Sequence, residues 1–358
     1  MTSPSTSFAA NFSSVAAHGH QNQANATGCP IGKTEDWVYT ALEANILVIS
    51  ALGIGLNLFV LSVFCCHRKR CTVAELYLSN LAAADLLLMS FLPFWAVSAG
   101  NRFAWAFGGA LCRVVNLSIV MNVYCSIYFL VLVSMDRYWA LVKPLSSEKM
   151  RSAKFAKLGC VLVWGGGLLL SVPTIIYRET TTYPHLNQTY CSFSSEVQLG
   201  FEVMLSAFSF IIPLPIISFC TWKILQALNK RLRRASKPQQ KEHKATRLIL
   251  AVLLAFLLCW VPFHLVRIIE LLYRLKVLKE CTLRAALGVC RQVFMNLAYF
   301  NSVLNPILYV IMGGNFRKKA RELFLSPART MSIRTGNSSL NSKGTFRLRS
   351  ARLKNILS

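Results

Sequence analysis

The chain has 358 residues, of which 54% are hydrophobic and only 15% are charged, and its formal net charge is +25. Soluble domains average about 25% charged residues, so this composition excludes an ordinary soluble protein and indicates one embedded in a membrane. The basic excess does not indicate nucleic-acid binding, because the sequence has no soluble basic domain.

Seven apolar runs follow one another along the chain, and six of them lack any charged residue. The second run is apolar except for Glu75 near its start and Asp85 inside it. Each run is close to the length of about 17–25 residues that a helix needs to cross the hydrocarbon of a bilayer. The runs are 44–66, 73–99, 114–135, 158–177, 203–222, 248–266 and 292–316.

The predicted fold is an all-α membrane protein, a bundle of seven transmembrane helices. The runs lack the alternation of a β-barrel, and helices satisfy their own backbone hydrogen bonds in lipid. Basic stretches at 67–70 and 230–244 place those loops in the cytoplasm and the amino terminus outside. We therefore expect a glycosylated extracellular tail (1–40), a seven-span domain (41–314), an amphipathic surface helix (315–325) and a disordered cytoplasmic tail (326–358).

Glycans and disulfides are expected on the predicted outer side. The Asn-x-Ser/Thr acceptors there are Asn11, Asn25 and Asn187. The cysteines there are Cys29, Cys112, Cys191 and Cys281, and the sequence alone does not fix their pairing. The other eight cysteines lie in or beside the spans, where they are interpreted as small apolar residues.

Five motifs stand in order along the chain: "GLNLFVL", "NLAAADLLL", "SMDRYWALVKP", "CWVPF" and "NSVLNPILY". Together with Cys112 they resemble the rhodopsin-like G-protein-coupled receptors. The resemblance implies a plasma-membrane receptor that activates a G protein and is not an enzyme. It also implies the disulfides Cys112–Cys191 and Cys29–Cys281.

In this family the Asp136-Arg137-Tyr138 motif lies at the cytoplasmic end of the third span. The resemblance implies that Arg137 is held by Asp136 and by an acid at the base of the sixth span, here Glu242. Release of Arg137 would then accompany G-protein binding. The alternative is an exposed ion pair at the membrane interface, which would contribute less than about 1 kcal/mol.

Further residues match the family's activation switch. Trp260 precedes Pro262 in the sixth span, and proline removes a helix hydrogen bond and can kink the helix. The other matched positions are Pro213, Ile127 and Phe256 as a packing group, and Asn305, Pro306 and Tyr309 in the seventh span. Ordinary core packing explains the packing group equally well. One departure is Thr221, where the family usually has Tyr.

Asp85 is an ionisable residue inside a span, and such residues are usually functional. The resemblance places polar groups around it, and oxygen ligands suit a hard cation. The predicted allosteric sodium site consists of Asp85, Asn122, Ser126, Asn301 and Asn305. No other cofactor is implied.

The segment "NFRKKARELFL" (315–325) places apolar residues at helical spacing among basic ones, which predicts a helix on the inner membrane surface in contact with lipid. No cysteine follows it, so the palmitoyl chain common in the family is absent there. The Ser/Thr-rich tail is a predicted target of a receptor kinase, and its phosphorylation would recruit arrestin.

Two receptor classes are excluded because the third and seventh runs lack the charged residues that those receptors need for their ligands. The seventh run contains no lysine, unlike opsins, and the third contains no acid, unlike amine receptors. The stretches "CTVAELYLSNLAAADLLL" and "LCRVVN" resemble the bradykinin receptor group, which implies a kinin, a basic peptide with Arg at both ends. The predicted ligand-binding residues are Glu270, Gln292, Trp260, Tyr299, Asn122 and Glu202.

Two positions refine this prediction. Receptors for kinin without its terminal Arg tend to carry Lys where this chain has Val120, which favours intact kinin. The resemblance also leads us to expect a second acid on the rim of the pocket, near the start of the seventh span, but this chain has Gly288 at that position. Coupling to Gq/11, with phospholipase C activation and calcium release, is implied by resemblance. Another peptide or chemokine receptor remains an alternative, as does a membrane enzyme or channel, although no span carries a nucleophile–base pair.

Overall fold

A computed structural model describes most of the chain. The described residues are 36–67, 71–143, 152–184, 186–232, 240–274 and 281–325, with side chains omitted at 195, 231–232, 240–246, 274, 281–285 and 325. The first half contains α1 (Asp36–Cys66), α2 (Val73–Gly100), α3 (Gly108–Val142), α4 (Ala153–Tyr177), β1 (Arg178–Tyr183) and β2 (Gln188–Phe193). The second half contains α5 (Ser195–Ser206), a π-helical turn (Ala207–Ile211), α6 (Pro213–Leu232), α7 (Gln240–Arg274), α8 (Cys281–Met312) and α9 (Gly314–Leu325).

Within the described ranges, seven helical segments are long and apolar enough to cross a membrane, which confirms the predicted bundle. Helices α1 to α4 are the first four spans, and α5, the π-helical turn and α6 together form the fifth, Glu196–Lys230. Helices α7 and α8 carry the sixth and seventh. The third span is the most buried and the fourth the least, so α3 lies at the centre of the bundle.

Close helix packing fixes the first two spans against each other. A Cβ built on Gly53 of α1 would lie 2.6 Å from Cγ and Sδ of Met89 in α2, so a larger residue does not fit there. One turn away, Ser50 Oγ donates to the carbonyl of Met89 at 2.7 Å. Small residues at such contacts let helix backbones approach closely in a membrane.

A β-hairpin between the fourth and fifth spans was not predicted. Strands β1 and β2 pair antiparallel, with Thr180 opposite Cys191, and the β-branched threonines of "RETTTY" favour this structure. The disulfide Cys112–Cys191 ties β2 to α3, as expected. The backbone N–H of Trp105 also donates to Thr189 at 2.7 Å, so the hairpin is held by the loop before α3 as well.

Helix α9 follows the seventh span almost directly, as predicted. Its Phe316 is buried against Phe64 and Phe59 of the first span, with ring centroids 5.4 and 5.7 Å apart. Lys319 contacts the Glu75 carboxylate at 2.9 Å, and the same oxygen accepts the backbone N–H of Thr72 at the start of α2. The helix is therefore held to the ends of the first two spans.

Candidate ligand site and transmembrane switch

Asp85 lies in the middle of the bundle and is completely buried. Its Oδ1 accepts hydrogen bonds from Asn122 Nδ2 at 2.9 Å, from Ser126 Oγ at 3.3 Å and from Ser302 Oγ at 2.8 Å. Its Oδ2 accepts from Asn305 Nδ2 at 3.1 Å. Donors from the third and seventh spans thus converge on one carboxylate of the second span. We call these five residues the Asp85 cluster.

The seventh-span member of this cluster differs in part from the prediction. Ser302, which was not among the predicted residues, donates to Asp85, whereas Asn301 is buried and its Oδ1 has no hydrogen-bond partner among the described residues. The carbonyl of Ser302 also accepts from Asn57 Nδ2 of the first span at 3.0 Å. Ser302 therefore links three spans, and its place beside Asn301 in the "NSVLNP" motif was the available signal.

The oxygens around Asp85 fit a hard cation. Besides the carboxylate, two serine hydroxyls lie here, and Oδ1 of Asn305 is buried with no hydrogen-bond partner in the described part of the chain. Oxygen-only donor sets suit such ions, and neutral amide and hydroxyl oxygens with one carboxylate suit a monovalent one.

Asp136 and Arg137 form a close ion pair at the end of the third span. Arg137 Nη2 lies 2.8 Å from Asp136 Oδ2, and the side chain of Asp136 is only 2% exposed. This burial argues against the alternative of an exposed interfacial pair. Tyr138 packs against Phe219 of the fifth span, with ring centroids 5.9 Å apart. Glu242 lies in the first turn of α7, but its side chain is outside the described residues, so its predicted contact with Arg137 stays a prediction.

An aromatic stack connects the sixth span to the π-helical turn of the fifth. Trp260 is buried, stacks on Phe256 at 5.8 Å and lies 5.9 Å from the His264 ring. His264 stacks in turn on Phe210 at 4.7 Å. His264 was detectable from the sequence, because it lies four residues after Trp260 on the same helix face. Phe210 was not, because no pattern marked the π-helical turn.

All but one of the remaining switch positions are buried, and Pro262 is half-buried. Ile127 and Phe256 belong to the same hydrophobic core, and Pro213 is buried at the start of α6. Pro262 and Pro306 lie inside α7 and α8. Tyr309 is buried and faces Phe64 and Phe316, with ring centroids 6.5 and 6.2 Å away. These positions agree with core packing, and their role in switching stays a prediction.

Glu270 lies near the outer end of the sixth span, in an ion pair with the seventh. Arg291 Nη1 is 3.6 Å from Glu270 Oε1, and the two side chains are 12% and 19% exposed. Within the same helix, Arg267 and Arg274 lie at helical spacing from Glu270. The pair with Arg291 crosses between helices, which spacing within one helix does not reveal.

A second charged group, Arg178, lies at the start of the hairpin. Arg178 Nη1 donates to the carbonyl of Cys191 at 3.2 Å, and its guanidinium lies over the Phe193 ring at 5.7 Å. Burial, together with nearby Arg267, lowers the pKa of Arg178 to about 10, while Glu202 favours its charged form. The group therefore keeps its positive charge at neutral pH. Glu202 also accepts a hydrogen bond from Gln198 at 2.9 Å.

The other predicted residues are placed as follows. Tyr299 is buried, and Gln292 Nε2 is buried without a hydrogen-bond partner among the described residues. The amide of Asn122 belongs to the Asp85 cluster. Asn187 is exposed at the hairpin turn. The side chain of Cys281 and the residues Cys29, Asn11 and Asn25 lie outside the described part of the chain.

Three features point to one class of protein, the seven-helix membrane receptors. They are the seven spans, the intramembrane carboxylate with its four hydrogen-bond donors, and the buried Asp–Arg pair at the end of the third span. Residues 56–309 match the family model described as 7 transmembrane receptor (rhodopsin family). The match covers more than half of the chain, and the chain belongs to this family. It is accordingly a multi-pass plasma-membrane receptor and not an enzyme.

Within the family the similarity is more particular. The chain is 46% identical to the B2 bradykinin receptor of Oryctolagus cuniculus over 304 residues, which is 84% of this chain and 83% of the relative. It is 43% identical to the B2 bradykinin receptor of Homo sapiens over 325 residues, 89% and 83% of the two chains. It is 39% identical to the B1 bradykinin receptor of Macaca mulatta over 307 residues, 84% and 87%.

Proposed function

We propose that this protein is a receptor for an intact kinin-type peptide, with its amino terminus outside the cell. The similarity to B2 bradykinin receptors supports the ligand class. Val120, where a receptor for the shortened peptide would carry Lys, supports the intact form. The basic stretches at 67–70 and 230–244 support the orientation, since cytoplasmic loops carry an excess of Lys and Arg.

The observation that carries the proposal is the Glu270–Arg291 pair. Glu270 is a carboxylate at the outer end of the sixth span that already holds one guanidinium, at 3.6 Å and partly open to solvent. A peptide with a terminal Arg offers the same planar group, which binds carboxylates through paired N–H donors. The ligand's Arg displaces Arg291 from Glu270 or shares the carboxylate with it. Gln292, Tyr299, Trp260 and Glu202 are the further proposed contacts.

On the inner side, the proposal is coupling to Gq/11, with phospholipase C activation and calcium release. Asp136, Arg137 and Glu242 hold the resting state, and the ion pair opens toward the G protein. The buried Asp136–Arg137 contact at 2.8 Å supports the first part of this account. A receptor kinase and arrestin act on the Ser/Thr-rich tail, and the basic face of α9 contacts anionic lipid.

The test is intracellular calcium in cells that express the chain with an extracellular amino-terminal epitope tag. Intact bradykinin-like peptide is compared with the same peptide lacking its last Arg. We expect a response to the intact peptide alone, and a shift of at least about tenfold to higher concentration in Glu270→Ala, as expected when a charged partner is lost. Glu179→Ala is the matched control, because Glu179 is an exposed acid of the hairpin.

The alternative is a different peptide or chemokine as ligand. Silence to both peptides, with the tag detected on intact cells, would reject the kinin and leave the receptor class standing. A response to both peptides that is unchanged in Glu270→Ala would reject the role of Glu270. A tag detected only after permeabilisation would reject the proposed orientation.

We propose in addition that the Asp85 cluster, with Asn301, holds an allosteric sodium ion that favours the resting state. The Oδ1 atom of Asn305, buried without a hydrogen-bond partner among the described residues on a side chain that contacts the Asp85 carboxylate, supports this. Asp85, Asn122, Ser126, Asn301, Ser302 and Asn305 would be the residues around the ion. The test is the sodium dependence of agonist affinity in Asp85→Asn, which is expected to disappear.

A further inference from the structure

Two adjacent thiols are exposed at the end of the first span. Cys65 and Cys66 are the last two residues of α1, and both are exposed. From Leu47 to Leu58 the exposed residues of this helix are all apolar or glycine, and Val48, Leu52 and Leu58 are each about half exposed. Cys65 follows Leu58 by seven residues, which is two helical turns. The thiols therefore continue the face that the first span presents to lipid.

The same end of the first span carries the amphipathic helix α9. Phe324 stacks on Phe59 with ring centroids 5.8 Å apart and is itself more than half exposed. Three basic residues of α9, Arg317, Lys318 and Arg321, are exposed. An apolar side that meets lipid and a basic side that meets head groups put this end of α1 at the membrane–water boundary.

The sequence offers no other thiol for this boundary beyond the seventh span. The last cysteine of the chain is Cys290, inside α8, so neither α9 nor residues 326–358 contain one. In addition, the basic sequence "HRKR" follows Cys66 immediately. Cysteines beside a membrane span are the usual substrates of reversible acylation, and basic neighbours draw the segment to anionic lipid.

We propose that Cys65 and Cys66 form an S-acylation site that takes a long-chain fatty acyl group from the cytoplasmic side. The inference rests on the orientation given under Proposed function. The thiolate sulfur attacks the carbonyl carbon of a fatty acyl-coenzyme A, bound by a membrane acyltransferase. The carbon–sulfur bond to coenzyme A breaks, the coenzyme A sulfur takes up the proton that the cysteine thiol lost, and a thioester to cysteine remains.

The geometry explains what the acyl chain would do. Attached to Cys65 or Cys66, it enters lipid along the outer face of α1, on the helix that Phe324 already contacts through Phe59. It therefore adds apolar surface beside α9, whose own attachment consists of ring contacts and the Lys319–Glu75 ion pair.

Cys71 provides a control on the same loop. Cys71 is exposed as well, but its Sγ donates to the carbonyl of Phe64 at 3.3 Å, and desolvation raises the pKa of this thiol. Less thiolate makes it a poorer nucleophile. It also lies between α1 and α2 and is not part of α1. A serine in its place removes a thiol from this loop without touching the proposed site.

The experiment uses the full chain with its amino-terminal tag in cells fed an alkyne-bearing palmitate. The receptor is purified, the alkyne is coupled to a fluorophore, and half of each sample is treated with hydroxylamine, which cleaves thioesters. We expect a hydroxylamine-sensitive signal that falls to background in the double variant Cys65→Ser/Cys66→Ser and persists in Cys71→Ser. Surface staining and the calcium response are measured in the same cells.

Absence of a hydroxylamine-sensitive signal on the unaltered chain would overturn the proposal, as would a signal that survives in the double variant. With the tag on the outside and a normal calcium response, either result rejects acylation alone and leaves the receptor function standing. A tag found inside would reject the orientation and, with it, this site. A double variant that reaches the surface and binds peptide excludes misfolding as the cause of a lost signal.

Discussion

The centre of the bundle and its outer mouth handle buried charge in different ways. At the centre, one carboxylate accepts four hydrogen bonds from uncharged side chains, and it is completely buried. At the mouth, Glu270 meets Arg291 at 3.6 Å with both side chains partly exposed, and Arg178 lies near Arg267 and Glu202. The first arrangement is closed within the protein, whereas the second has partners that a charged ligand can replace.

The difference follows from desolvation. A charge in the hydrocarbon region is costly unless polar groups surround it, so the donors at Asp85 must come from neighbouring spans. Near water the same cost is smaller, and an ion pair there contributes about 1 kcal/mol or less. We therefore expect substitutions at the centre to change stability and substitutions at the mouth to change ligand affinity.

The largest effect is expected for Asp85→Ala, which leaves four buried donors without their acceptor. We expect a loss of about 2–4 kcal/mol in the free energy of unfolding, measured by thermal unfolding of the purified receptor. Asp85→Asn should cost much less, because it keeps one oxygen and the Asn305 amide can turn its Oδ1 toward the new N–H. An equal loss of unfolding free energy in the two variants would contradict the conclusion that the four hydrogen bonds to Asp85 stabilise the bundle.

Packing around the centre is tested by a pair of glycines in the first span. Gly53→Val forces a Cβ to within 2.6 Å of Met89, and overpacking of this kind costs about 1–3 kcal/mol. Gly55→Val is the matched control, since no described atom lies within 4 Å of its Cβ position. Melting temperatures of the two variants should differ clearly. Equal values would mean that the first and second spans separate easily.

At the mouth, Arg291→Ala should raise the affinity for intact basic peptide about three- to tenfold, because it removes one guanidinium that competes with the ligand's Arg for Glu270. Thermal stability should hardly change. The control is the same substitution in a Glu270→Ala background, where the gain should vanish. Competition binding measures both. A fall in affinity would instead assign Arg291 the role of holding Glu270 in place.

The smallest effect is expected at the inner surface. Lys319→Ala breaks a contact at 2.9 Å with Glu75 in which both side chains are 12% exposed, and should loosen α9 by about 1 kcal/mol. Lys318→Ala is the matched control, because Lys318 is 71% exposed and lies 3.9 Å from Glu322. Hydrogen exchange of the α9 backbone measures the difference. Equal exchange rates would show that ring contacts alone hold the helix.

The spans were predictable because each is a run of apolar residues whose length is set by the bilayer, and α9 because its apolar residues recur at helical spacing. The hairpin was not, since β1 carries no alternation of apolar and polar residues and depends on the disulfide to α3. The π-helical turn left no trace either, because its residues are as apolar as the rest of the span.

The residues of the two sites also differ in how far the sequence predicted them. Asp85, Asn122, Ser126 and Asn305 could be assembled from motifs, because each stands at a fixed place in a recognisable stretch. Ser302 was missed in favour of its neighbour Asn301, since only the rotation of the helix decides which of two adjacent side chains meets Asp85. Arg291 was missed because contacts between helices depend on packing that sequence spacing does not encode.

The residues of the Asp85 cluster are synthesised at very different times as the chain is translated. Asn122 and Ser126 follow Asp85 by 37 and 41 positions, but Ser302 and Asn305 follow it by 217 and 220. At translation rates of about 5–20 residues per second, the carboxylate spends roughly 10–40 s in the membrane before its last two donors exist. During that time Asp85 has only the donors of the third span, Asn122 and Ser126. Its hydrogen bonds are complete only when the seventh helix packs into the bundle.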